Sequence, residues 1–169
     1  ANTSFSTTVT STVDVVAERA MYWGPNWMGG HCSIGITTLS PTWYFAEGAV
    51  APGFDTYYLL FNPNDTAVTV SITYYGNSGV ITTKTYPVQA RRRLTLDLRN
   101  EVGTINPVSA SIATVGNEGI IVERSTYWGS GGFPNWVDGT NSLGSTTTDS
   151  AWFLPEGDSR PPVDTATDA

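Results

Sequence analysis

The chain has 169 residues, and its 40% apolar and 12% aromatic content is enough to build a buried core. A formal charge of −7, with Lys84 the only lysine, excludes recognition of nucleic acid or anionic lipid through a basic patch. No apolar run reaches the roughly 18–20 residues that insert across a bilayer, and the single cysteine, Cys32, excludes an internal disulfide and a cysteine-based metal cluster.

In chain order, the first predicted strand carries Val16, Ala17, Glu18, Arg19, Ala20, Met21, Tyr22 and Trp23. Side chains alternate along a strand, so Glu18 and Tyr22 share one face while Arg19 and Trp23 share the other. A Gly-rich aromatic loop follows over residues 23–30, then His31 and Cys32, whose adjacency points them to opposite sides of an extended chain. Residues 56–61 form a β-rich run stopped by Asn62, Pro63, Asn64 and Asp65, a turn cluster.

Residues 67–75 alternate, with Val68, Val70 and Ile72 on one face and Thr69, Ser71 and Thr73 on the other, the pattern of a half-buried strand. Gly76, Asn77, Ser78 and Gly79 turn the chain into residues 80–86, a hairpin. Leu94, Leu96 and Leu98 alternate with Thr95, Asp97 and Arg99 in a further strand, and residues 108–115 and 120–128 complete the set. No apolar period of 3.6 residues is present, so no helix is predicted. The expected fold is all-β, an antiparallel two-sheet β-sandwich.

The first strand returns late in the chain: Glu18-Arg19 as Glu123-Arg124, and Tyr22-Trp23-Gly24 as Tyr127-Trp128-Gly129. Pro25-Asn26-Trp27 matches Pro134-Asn135-Trp136 once residues 130–133 are read as a loop insertion. From there no gap is needed: Gly30 pairs with Gly139, Ser33 with Ser142, Gly35 with Gly144, Trp43 with Trp152 and Glu47 with Glu156. Ser4 and Ser6 match Ser109 and Ser111, so the copies begin near Ala1 and Asn106 and the period is about 105 residues. Residues 1–42 therefore read as a partial repeat, donated or folded back, 43–157 as a complete sandwich module, and 158–169 as a flexible linker or tail.

Three constellations invite a chemical reading. Glu18, Arg19 and Tyr22, with Glu123, Arg124 and Tyr127, form either a charged site for a polar ligand or a structural ion-pair motif that sets register, and the structural reading is preferred. Trp23, Asn26 and Trp27, with Trp128, Asn135 and Trp136, offer indole faces and amides suited to stacking on sugar rings; the competing reading is a loop that caps the sandwich or touches the next unit. Glu47 and Glu156, within the repeated Trp43 and Trp152 motifs, could join Glu18 and Glu123 as paired carboxylates of a glycoside hydrolase, the remote alternative.

The remaining motifs are simpler. Asp138, Gly139, Thr140 and Asn141 look like part of a calcium loop without its full spacing, and Arg91, Arg92 and Arg93 read as a solvated strand start. No catalytic residue, metal site or cofactor is assigned.

The motifs Glu18-Arg19-Ala20-Met21-Tyr22-Trp23 and Trp43-Tyr44-Phe45-Ala46-Glu47-Gly48, followed by residues 53–64, resemble a tandem immunoglobulin-like repeat of secreted bacterial surface proteins over residues 13–157. The second copy departs from it, with Leu154-Pro155 in place of Phe45-Ala46. The resemblance implies an extracellular, non-enzymatic β-sandwich in a multi-copy array. The expected function is a structural subunit or repeat of a filament, stalk or adhesin, partnered by copies of itself or adjacent repeats, with a carbohydrate-binding module, and hence a cell-surface glycan as partner, as the alternative. An incomplete sheet exposes unpaired N–H and C=O groups, so the N-terminal strands are expected to pair with a neighbouring copy by strand addition.

Overall fold

The computed structural model describes residues 4–105, 107–129 and 135–155. Asn106, the insertion at 130–133, Pro134, Glu156 and the tail at 158–169 lie outside the described residues.

Among the described residues ten strands follow one another: β1 (Glu18–Trp23), β2 (Gly29–Ile34), β3 (Thr42–Phe45), β4 (Phe54–Asn62), β5 (Val68–Gly76), β6 (Gly79–Val88), β7 (Arg92–Asp97), β8 (Ser109–Thr114), β9 (Ile121–Trp128) and β10 (Asp138–Leu143). Two four-stranded antiparallel sheets, ordered β10-β9-β4-β7 and β3-β8-β5-β6, make the sandwich, and β1-β2 is a separate two-stranded sheet. The alternation expected over residues 67–75 is realised, with Val68, Val70, Ile72 and Tyr74 buried. Asn77 and Ser78 turn β5 into β6, and Gly79 takes the positive φ of 103° that the tight turn demands.

The core draws from both sheets. Tyr58, Leu60, Leu96 and Val122 come from one, and Trp43, Phe45, Val70, Ile72, Tyr74 and Ile112 from the other. Aromatic contacts bridge the layers, with the Tyr58 ring 5.0 Å from Phe45 and stacked 6.3 Å from Tyr74. The sandwich closes at Ser40, which pairs with Ile120 and accepts from the Trp43 indole N–H through its carbonyl at 3.1 Å.

Two sequence expectations are corrected. The strand expected to run through Leu98 and Arg99 stops at Asp97, and Leu98–Val102 forms a short helix, α1. Asp97 caps it by accepting from the Arg99 N–H at 3.0 Å, Gly103 ends it at φ 75°, and Leu98 turns fully into the core. Local capping thus overrides a period-2 pattern that leucine satisfies equally well. Asp138, Gly139, Thr140 and Asn141, read as a partial calcium loop, lie instead in β10, their backbone committed to β9.

Candidate functional site

The duplication is a duplication of structure as well as of sequence. β1 pairs with β2 so that Glu18 faces Ile34, Arg19 faces Ser33 and Tyr22 faces Gly30. β9 pairs with β10 so that Glu123 faces Leu143, Arg124 faces Ser142 and Tyr127 faces Gly139, the same register at every matched position. In both hairpins the tyrosine lies over the opposite glycine. A Cβ at Gly30 would stand 2.8 Å from Tyr22 Cδ1, and one at Gly139 would stand 2.6 Å from Tyr127 Cδ1, so these positions admit only glycine.

The two hairpins differ in what covers them. Register places Arg124 opposite Tyr58 and Val122 opposite Leu60, so Arg124, Thr126 and Trp128 lie on the inward face of β9. There Trp128 sits 6.5 Å from Phe54, and Arg124 donates to the backbone carbonyl of Glu47. The corresponding face of β1, with Arg19 and Trp23, packs instead on the outward face of β9, against Glu123 and Tyr127. Arg19 donates to Glu123 Oε2 at 3.0 Å and to Ser33 Oγ at 2.8 Å. Trp23 meets Tyr127 edge-on, centroids 5.1 Å apart at 82°, and His31 completes the contact 5.4 Å from Trp23, with its Nε2 3.5 Å from the Tyr127 hydroxyl.

Trp136 also stacks on Tyr127, at 4.4 Å and 15°, and its indole N–H donates to Asp55 Oδ2 at 2.8 Å. Asp55 also receives Arg99 at 2.8 Å, so one carboxylate anchors the aromatic stack to helix α1. Burial, together with Arg19, holds the His31 pKa below its usual value. Burial lowers Arg93 and raises Tyr57, which faces Asp97 and Asp55. Trp23 Nε1 and His31 Nδ1 are buried without a hydrogen-bond partner among the described residues, as is Arg124 Nε on the inward face of β9.

The proposed sugar-stacking residues are not brought onto one platform. Trp27 is 74% exposed at the end of its loop, where it and Asn26 adopt left-handed φ of 58° and 55°. Trp23 and Trp136 are both ring-packed against Tyr127, Trp128 borders Phe54, and Asn135 is exposed. Of the carboxylates, Glu18 and Glu47 are exposed, Glu123 is engaged by Arg19, and Glu156 lies outside the described residues. Trp43 is buried in the core, whereas its counterpart Trp152 is exposed.

Tyr57, Asp55 and Arg99 were not singled out from sequence. The inward positions Tyr58 and Leu60 were the available signal, because they place Asp55 and Tyr57 on the outward face of β4. Among the described residues no group of three or more His, Cys, Asp or Glu gathers, and no helix is long and apolar enough to cross a membrane.

A duplicated hairpin on an all-β antiparallel sandwich is the class that fold and site define. No protein-family model matches the chain, and no curated protein matches it. Among solved structures, that of Thermotoga maritima 1070 is 16% identical, with the match covering 64% of this chain and 96% of that one at a TM-score of 0.54. The Anabaena sensory rhodopsin transducer is 22% identical, with 52% and 97% covered at a TM-score of 0.43. The Thermotoga likeness shows the sandwich fold.

Proposed function

We propose that this chain is a structural repeat of an extracellular surface assembly, a filament, stalk or adhesin, whose units are linked by donation of the N-terminal strand. The observation that carries this reading is the state of residues 4–16. Phe5, Val9, Val13, Val15 and Val16 are all exposed, Phe5 at 77%, although the matching segment in the second copy includes β8, which is paired on both sides within the sandwich. Exposed apolar side chains on a backbone without ladder partners are the signature of a strand awaiting a sheet. Sparse charge, one lysine and abundant Thr, Ser, Gly and Asn suit an extracellular surface.

Removal of residues 1–24 is the test, read by light scattering for size and by circular dichroism for the sandwich. Assembly by the full chain and its loss on truncation, with the β spectrum retained, is the expected result. A monomer before and after truncation would overturn strand donation. The exposed Trp27 beside Asn26 favours a second reading, glycan binding by the first loop. A glycan array should then show signal that Trp27→Ala abolishes and that the packed Trp136 does not supply; no signal above background removes the reading.

A further inference from the structure

Two exposed apolar stretches flank the sandwich, and the repeat gives each a counterpart whose partner is visible. Residues 4–9 align with β8 through the serine pairs Ser4 and Ser109, and Ser6 and Ser111. Residues 152–154 align with Trp43, Tyr44 and Phe45 of β3. Within the sandwich β3 and β8 are antiparallel neighbours, with Trp43 opposite Ile112, Tyr44 opposite Ser111 and Phe45 opposite Ala110. Carried over by the repeat, that register sets Trp152 opposite Thr7, Phe153 opposite Ser6 and Leu154 opposite Phe5.

We propose that residues 152–154 of one copy pair antiparallel with residues 4–9 of a second copy in this register, so that copies join head to tail. The proposal rests on strand donation as argued above and names its acceptor. Both stretches satisfy the chemistry. Leu154 is 87% exposed and Trp152 and Phe5 are also exposed, so the pairing lays three large apolar side chains on one face, the face that β3 and β8 turn to the core. Ser6 meets Phe153 on the other face, as Ser111 meets Tyr44.

Competing acceptors are the outer strands of the two sheets, such as β6, which among the described residues pairs only with β5. The β6 strand carries Lys84 and Pro87, a charge and a missing donor that discourage strand addition. A contact between opposite ends of the chain is heterologous, and when the rotation does not close it propagates.

The test uses single cysteines in chains that carry Cys32→Ser. Ser6→Cys chains and Phe153→Cys chains of different mass are mixed and oxidised, because directly opposed residues stand within disulfide reach while those two positions away do not. One cysteine per chain makes every cross-link intermolecular. A mixed dimer in several-fold excess over both homodimers, and over mixtures using Ser4→Cys or Thr8→Cys, is the expected outcome. Assembly by the full chain with no excess at residue 6 would overturn this pairing while leaving strand donation standing. A chain that stays monomeric would remove both.

Discussion

Arg19 of the first hairpin donates to Glu123 of the second at 3.0 Å, so the two charges of a repeated dipeptide meet across copies and never within one. Neighbours in a strand point to opposite faces, which forbids the internal pair. The Arg19 side chain is 42% exposed and Glu123 16%, and solvent screening limits the pair to about 0.5–1 kcal/mol. A double-mutant cycle with Arg19→Ala and Glu123→Ala, read by hydrogen exchange of the β1 and β2 amides, is expected to return a coupling of that size. Exchanging the two charges should recover most of it.

Trp23→Ala is expected to release the first hairpin. The edge-on contact with Tyr127 is worth about 0.5–1.5 kcal/mol beyond the area buried, and the sandwich core contains none of its atoms. Protection should fall in β1 and β2 while the thermal midpoint of the sandwich holds. A fall in that midpoint comparable to a core truncation would show that the hairpin is integral to the sandwich.

Acid should loosen the same contact. Burial and Arg19 lower the pKa of His31 from 6.5, against the opposing pull of Glu123 and Asp138. The undocked imidazole then takes up its proton first, so docking is at full strength above about pH 6.5 and weakens as the pH falls toward the lowered value. Hydrogen exchange of β1 and β2 measured from pH 7.5 to 5, corrected for intrinsic rates, is expected to show this slope, and His31→Gln is expected to flatten it.

Asn62 is fully buried, and its side-chain N–H groups donate to the carbonyls of Thr66 at 2.8 Å, Val88 at 3.0 Å and Gln89 at 3.2 Å while its oxygen accepts from the Asn64 N–H at 2.9 Å. Asn62→Leu strands these groups, and each buried unsatisfied one costs about 1–3 kcal/mol. Urea unfolding is expected to show a loss of about 3 kcal/mol with an unchanged slope.

The strands of the sandwich were legible because a period of two needs only the local order of apolar and polar residues, as at Val68, Val70 and Ile72. Where two local rules compete, as at Asp97 and Leu98, the pattern misled, since capping geometry depends on where Arg99 finds its partners in Ala51, Phe54 and Asp55.

By itself the sequence determined the all-β class, the duplication and the faces on which Glu18, Arg19, Tyr22 and Trp23 lie. Only the tertiary structure decided that one copy of the Arg and Trp face turns inward while the other rests on Tyr127. Alternation states which side chains travel together, but which surface they meet is set by the packing of distant segments, and identical motifs in two surroundings reach different partners.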